Sequence, residues 1–339
     1  MKRLKKELSK IIKNKYLTYD DLEILSLLLN VNINLKDSLL IIKNNKNQLI
    51  INNLIHELDL GKNYNQLFRK YLKNDIKEYL TSFLSYLSFK DALKLSLSIA
   101  NKERYLKNEI IKHLTYPISL MIFSLLGIYL FNSYCFEPLI NSFKSFNSDL
   151  SHLVDFKNIL NIFITIIFII ILIILCLVLI FTKKKRIVFA YSLLQKYLSS
   201  SKISEYLSSR FVIYFSECHK VGLKTKDSIN ILKSLKSEPL ISFIAFHIDE
   251  ALLSGKDMVE AISNPYLDTR LKSFIEIAIN TTELNKMLEG YLSQFEMRFK
   301  KYTTKMSKMI QIFSYVLIGI VIIFIYQLLF IPMGLLGEL

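Results

Sequence analysis

Residues 159–181 read ILNIFITIIFIIILIILCLVLIF, and the basic cluster Lys183-Lys184-Lys185-Arg186 follows almost directly. The stretch holds no charged residue, and at about 1.5 Å per helical residue it reaches roughly 34 Å, enough to cross a hydrocarbon core of about 30 Å. It therefore predicts a membrane-spanning helix. Because Lys and Arg beside a short span stay in the cytoplasm, the chain is expected to run inwards through the membrane here.

Two further windows, residues 117–136 and 310–331, also lack Asp, Glu, Lys and Arg. The chain is 52% hydrophobic, with a net charge of +15 and a mean hydropathy of +0.32, which excludes the class of ordinary soluble proteins. The regions between the windows show the spacing of short amphipathic helices and no convincing period-two strand. The expected fold class is all-α, a polytopic membrane protein with three transmembrane helices.

Charge and chain breakers predict the segment boundaries. The N-terminus lacks the apolar core of a secretory signal and is expected in the cytoplasm, whereas the loop before the middle span is poor in basic residues and is expected outside, as is the C-terminus. The predicted segments are a basic amphipathic segment (1–16), a first cytoplasmic helical domain (17–115), a span (116–136), an outer loop (137–158), the middle span (159–181), a second cytoplasmic helical domain (182–308), a third span (309–331) and an outer tail (332–339).

Local signals predict where several helices begin. Thr18-Tyr19-Asp20-Asp21 combines a capping hydroxyl with acids that favour the positive end of the helix dipole. A second helix is expected near Asn34, with Asp37 in its first turn. Tyr116-Pro117 is expected to open the first membrane helix, because a first turn tolerates proline.

The two cytoplasmic regions are direct repeats. Residues 31–39 read VNINLKDSL and residues 221–229 read VGLKTKDSI, an offset of 190. Asparagine and glycine occupy equivalent positions in the two repeats, and both suit a left-handed helix cap. The paired positions are Asn32 with Gly222, Asp37 with Asp227, Gly61 with Gly255 and Pro138 with Pro332.

The repeat explains the middle span. Each copy includes a cytoplasmic bundle and the outward-running membrane helix after it, so two direct copies need one inward crossing between them. We interpret Pro117, Pro138 and Pro332 as helix-end markers and Gly222 and Gly255 as turn formers.

The sequence offers no motif for catalysis. Gly61-Lys62 and Gly255-Lys256 lack the rest of a phosphate-binding loop, and the five histidines have no partners at metal-site spacing. Three cysteines, one of them mid-membrane, give no disulfide framework. We expect no enzymatic activity, no cofactor and no metal site, and the basic residues beside the spans are explained by topology without direct nucleic-acid binding.

Two other functional classes compete. A small-solute permease or channel component requires a polar stripe along the spans, and only Ser124, Asn132, Ser314 and Gln327 offer one. A membrane-anchored enzyme or sensor requires a site, which the sequence does not display.

The chain resembles the polytopic platform family of type II secretion and type IV pilus machines. The resemblance rests on the repeated positions above, on Tyr116-Pro117, on LNKML at residues 284–288 and on FIPM at residues 330–333. It implies two homologous six-helix cytoplasmic domains and three membrane helices. It also implies a lipid-embedded homo-oligomer that engages a hexameric secretion ATPase and prepilin or pseudopilin subunits, most similar to the platform of competence pseudopili.

One family feature is missing. Members usually carry a Gly-Glu pair before the leucine-rich helix of each domain, and the aligned positions here are Phe83-Leu84 and Ala278-Ile279. A carboxylate role at these positions, including metal contact, is therefore not expected of this chain.

The predicted topology can be tested with reporters. Fusions after Asn147 and after Lys196 should report opposite sides of the membrane, because the middle span separates them. Reporters on the same side would contradict the three-span arrangement.

Overall fold

Helices account for all the regular secondary structure in the described part of the chain. The computed structural model describes residues 16–136, 187–198, 201–281 and 283–337, with scattered residues between 138 and 176. Thirteen α-helices and one π-helix have defined bounds among these residues, further helical residues lie between 138 and 176, and none of the described residues is in a strand. The all-α prediction is confirmed. The predicted N-terminal segment lies outside the described residues, apart from Tyr16.

The first half of the chain forms six helices, two of which begin where the sequence predicts. The Thr18 hydroxyl accepts the backbone N–H of Asp21, whose carboxylate accepts the N–H of Thr18 in return, which makes a capping box. Asn34 caps the next helix by accepting the N–H of Asp37 at 2.9 Å. The helices are α1 (Tyr19–Asn30), α2 (Leu35–Ile42), α3 (Gln48–Asp59), α4 (Tyr64–Tyr71), α5 (Asn74–Phe83) and α6 (Phe89–Leu130), which continues as a π-helix (Phe131–Phe136).

The second half has the same order of elements. Helix α7 (Ile187–Leu198) precedes it. Five shorter helices are again followed by one long helix whose C-terminal part is apolar. They are α8 (Ser201–Lys220), α9 (Thr225–Lys233), α10 (Pro239–Leu253), α11 (Met258–Ile262), α12 (Thr269–Thr281) and α13 (Leu284–Gly337).

Left-handed residues end helices at corresponding places in the two halves. Asn32 (φ 62°) follows α1 and Gly222 (φ 84°) follows α8, while Gly61 (φ 74°) follows α3 and Gly255 (φ 87°) follows α10. At each of them two backbone N–H groups turn back to the last helical carbonyls, the Schellman arrangement. The second of these bonds in each turn joins Ile33 to Leu28, Leu223 to Cys218, Lys62 to Glu57 and Lys256 to Ala251.

The chain divides into two compact units, each built from two separate segments. The composite unit contains Met1–Tyr105 and Lys184–Phe295, and the span unit contains Leu106–Lys183 and Glu296–Leu339. Both halves of the chain therefore contribute to a single unit. Its core contains large, fully buried aromatic side chains, among them Phe68, Phe83, Phe211 and Phe215.

Two of the three predicted spans lie in helices that the structure describes. Helices covering Phe89–Tyr134 and Leu284–Ile323 are long and apolar enough to cross a membrane. About half of the middle span, residues 159–181, is described, and the described residues, including the run 165–170, are helical.

The prediction that Tyr116-Pro117 opens the first membrane helix is wrong. Helix α6 begins at Phe89 and passes through Pro117 without a break. Proline removes only one helical N–H bond, the one that would reach the carbonyl of His113, and long apolar helices tolerate this loss. The helix-end role also fails at Pro332, because α13 ends at Gly337. Pro138 is exposed and helical.

The turn after α8 gives a prediction about stability. Gly222→Ala should lower the free energy of unfolding by about 1–2 kcal/mol, because an L side chain is strained at positive φ. Space is not the reason, since a Cβ there would meet no atom within 4 Å. Gly222→Asn should be tolerated better, as asparagine already occupies the corresponding turn at Asn32. Thermal unfolding of both purified variants in detergent measures this, and equal losses would contradict it.

Candidate functional site

The sequence-predicted residues occupy local turns and helix positions that do not form one cluster. Asn32, Gly61, Gly222 and Gly255 are the left-handed helix ends, and Asp37 and Asp227 lie in the first turns of α2 and α9. Tyr116 is exposed on α6, next to Pro117. A tertiary contact is made by Asn32, whose side-chain oxygen accepts from Lys90 Nζ at 3.0 Å. These residues shape the helices and do not define a binding site.

A partly buried charge cluster joins the two halves inside the composite unit. Arg210 on α8 donates from Nε to Glu103 Oε1 at 3.0 Å and from Nη2 to Glu238 Oε2 at 2.8 Å. Glu103 belongs to the first half and Glu238 immediately precedes α10. One guanidinium therefore bridges two carboxylates on separate elements. We call Tyr79, Glu103, Arg210, Tyr214 and Glu238 the inter-half cluster.

Two tyrosine hydroxyls complete the cluster. Tyr79 OH lies 2.8 Å from Glu103 Oε2 and 3.2 Å from Glu238 Oε1, and its single proton can serve only one of them at a time. Tyr214 OH lies 2.8 Å from Glu103 Oε1 and also 2.8 Å from Tyr79 OH. The two rings meet edge to face, with centroids 5.8 Å apart. Within this cluster, Glu103 of the first half therefore receives bonds from both Arg210 and Tyr214 of the second half.

Burial and the two carboxylates set the protonation of this cluster. Burial raises the pKa of Tyr79 and of Tyr214 well above its usual range, and Glu103 and Glu238 raise both further. Burial opposes the charge of Arg210, but the two carboxylates outweigh it and raise the pKa of the guanidinium. The tyrosines therefore remain neutral donors and Arg210 remains charged at physiological pH.

A second carboxylate links the halves along the same two helices. Glu217 on α8 is buried and accepts from Ser98 Oγ at 2.6 Å and from Lys102 Nζ at 2.7 Å, both on α6. Lys220 Nζ lies 3.2 Å from Glu217 Oε1 and 2.7 Å from Glu289 Oε1, so it bridges Glu217 to α13. Burial acts to raise the pKa of Glu217, but the bonds from Lys102 and Ser98 lower it overall, so the carboxylate stays charged.

Sequence reasoning missed both clusters. Glu103 and Arg210 lie 107 residues apart, and neither belongs to a recognisable motif. A lone acid within the charged run Asn101-Lys102-Glu103-Arg104 is typical of a solvated helix face. The repeat alignment could not find the contact either, because it pairs each residue with its copy and not with its spatial partner.

An apolar groove of about 290 Å³ lies between α6 and α13 in the span unit. Leu120, Phe123 and Ile128 line it from α6, and Ile318 and Val321 from α13. Gly127 also lines it, and a Cβ at this glycine would meet nothing within 4 Å. The remaining lining residues are Ile322 and Ser124, so the groove is apolar apart from one hydroxyl.

The positions where the family usually carries Gly-Glu are apolar here, but only the first of each pair is buried: Leu84 is partly exposed and Ile279 is exposed. Phe83 is fully buried and Ala278 is nearly so. Among the described residues, no group of three or more His, Cys, Asp or Glu side chains could hold a metal ion.

The inter-half cluster predicts an unequal response to two charge removals. Arg210→Met should cost about 3–5 kcal/mol of stability, because it leaves two carboxylates without their counter-charge, and the Arg210 side chain is only 15% exposed. Lys36→Met removes a cation of the same charge from a pair in which both side chains are 53% exposed, and should cost less than about 1 kcal/mol. Thermal unfolding in detergent measures both changes. Similar shifts in the two variants would refute a stabilising role for the cluster.

Comparison with known proteins gives one family. Residues 211–332, about a third of the chain, match the family model of type II secretion system protein F. The match begins within α8 and ends within α13, so it includes most of the second half and its membrane helix. No curated protein matches the chain.

Proposed function

We propose that this chain, which carries a type II secretion system protein F domain at residues 211–332, couples a cytoplasmic secretion ATPase to the incorporation of pilin-like subunits. The domain supports a platform role in a secretion or pilus machine, and the candidate spans are in keeping with a membrane protein. In this proposal the chain transmits motion and carries out no chemistry of its own. The protein F domain is the observation on which the proposal rests.

The composite unit suits contact with a motor. Arg210 ties the first-half Glu103 to the second-half Glu238, and Glu217 ties α8 to α6. Separating the two halves would leave these charges without their partners, which is strongly unfavourable. The links therefore resist separation of the halves. A hexameric ATPase that pushes on either half would therefore move both halves together.

The apolar groove suits a pilin helix. It lies in the span unit, is lined by aliphatic and aromatic side chains apart from Ser124, and contains a glycine with open space beside it. Helix association in lipid depends on close van der Waals packing, which small residues permit. We assign this groove as the lateral docking surface for the membrane helix of a prepilin.

The finer assignments follow from the sequence. We place the N-terminus in the cytoplasm and the C-terminus outside, in a multi-pass arrangement in the cell membrane that works as a homo-oligomer. On its similarity to the platforms of competence pseudopili, we assign the filament to DNA uptake, with no direct contact between this chain and nucleic acid.

Three of the four polar residues that a permease would need make a side-chain hydrogen bond within the described part of the protein, although the Oδ1 of Asn132 has no partner there. Ser124 and Ser314 donate to carbonyls of their own helices, at Met121 and Ile310, both at 2.9 Å. Asn132 donates to the side chain of Asn161. These bonds do not favour a polar conduction stripe, so the permease is the weaker alternative.

Purification of the tagged chain from its native membrane tests the proposal. The wild type should bring down a secretion ATPase and a prepilin. Gly127→Leu should lower prepilin recovery at least about tenfold, which corresponds to about 1.4 kcal/mol, because the new side chain fills the groove. ATPase recovery should not change, and membrane insertion should persist because leucine favours helix over glycine.

Gly319→Leu is the matched control. It places the same side chain at another open glycine of a membrane helix, outside the residues that line the groove. It should retain both partners. Recovery of a solute-binding protein or transporter ATPase in place of the expected partners would overturn the platform assignment, whereas equal prepilin loss in both variants would overturn only the groove.

A further inference from the structure

A polar groove of about 470 Å³ lies within the composite unit, lined by residues of both halves. The first half contributes residues of α4, α5 and the turn after α5, and the second half contributes the loop between α9 and α10. Its volume falls in the range of about 300–1,000 Å³ that is typical of small-molecule sites. We call it the inter-half groove.

The inter-half groove carries an excess of positive charge. Arg69, Lys77 and Lys236 line it, against the single lining carboxylate of Glu78. Within the described ranges none of the three cations makes a salt bridge, whereas other lysines of the same unit, such as Lys102 and Lys220, are paired. Unpaired cations grouped around one concavity indicate a site for an anion.

A buried hydroxyl in the groove has no partner. Ser237 is only 8% exposed, and its Oγ makes no hydrogen bond in the structure. Buried polar side-chain atoms are nearly always hydrogen-bonded, so an exception on a groove wall indicates a group that is satisfied when a ligand is present. Ser237 also lies two residues before Pro239, where the fifteen-residue helix α10 begins. The positive end of that helix dipole adds to the attraction for an anion.

We propose that the inter-half groove binds a small molecule carrying a phosphate or pyrophosphate group. Arg69, Lys77 and Lys236 supply charge-assisted donors, and Ser237 supplies a neutral donor. The exposed ring of Tyr86, on the same wall, can stack against an attached base, which makes a nucleotide the best-fitting class. This proposal does not rest on the platform role. It is argued only from residues of the composite unit.

Isothermal titration of the purified full-length chain in detergent tests the proposal, with ADP as the probe. ADP should bind saturably with a Kd at or below about 1 mM, and pyrophosphate should displace it. A short polyglutamate peptide, a model for an acidic protein segment, should displace it poorly. Absence of saturable ADP binding, or displacement by polyglutamate but not by pyrophosphate, would overturn the proposal.

Charge variants locate the site. Lys77→Gln combined with Lys236→Gln should weaken ADP binding at least about tenfold, because two charge-assisted bonds are lost. Lys256→Gln removes an exposed lysine of the same unit that does not line the groove, and should bind as the wild type does. Equal weakening in the two proteins would place binding elsewhere and overturn the assignment.

Ser237→Ala separates a binding role from a structural one. It should weaken ADP binding roughly threefold to tenfold while the unfolding temperature without ADP stays the same or rises, because the variant removes an unsatisfied hydroxyl and breaks no bond. A lower unfolding temperature with unchanged ADP affinity would show that the hydroxyl serves only the fold and would remove it from the site.

Discussion

The contact between Arg210 and the two carboxylates of Glu103 and Glu238 is the constraint on which the composite unit depends. Desolvating a guanidinium and two acids is unfavourable unless they find one another, so the cluster holds its partners in one geometry. Tyr214 donates to the Glu103 oxygen that Arg210 also uses, and Tyr79 donates to the other oxygen of the same carboxylate. The two halves are joined by polar bonds that specify one orientation, whereas a purely apolar contact would allow several.

This arrangement gives the repeat a physical meaning. Each half has five shorter helices and one long helix, with left-handed residues at matching turns. The contacts across the halves are not symmetric, however. Glu103 of α6 meets Arg210 of α8, and Glu217 of α8 meets Lys102 of α6, so the link uses the long helix of the first half and the opening helix of the second. The copies have taken different roles within one unit.

Local physics made much of the fold predictable. The capping box at Thr18, the cap at Asn34 and the charge-free windows each follow from residues that are close in sequence. The inter-half cluster could not be predicted, because its members are far apart and look like ordinary surface charges. The prediction at Pro117 was wrong for a related reason. Proline indicates a helix start when only its neighbours in sequence are considered, but a long apolar helix tolerates the loss of one backbone hydrogen bond. The groove around Ser237 likewise exists only after both halves are in place.

The discontinuous make-up of the composite unit also bears on how the protein is made. Glu103 leaves the ribosome 107 residues before Arg210, and at about 5–20 residues per second this interval lasts roughly 5–20 seconds. During that time Glu103 has no Arg210 to pair with. The hydrophobic segments between these two residues are meanwhile delivered to the insertion machinery. Chaperone protection of the waiting half, and the pace of translation through residues 106–210, therefore become determinants of how much correctly assembled protein the cell obtains.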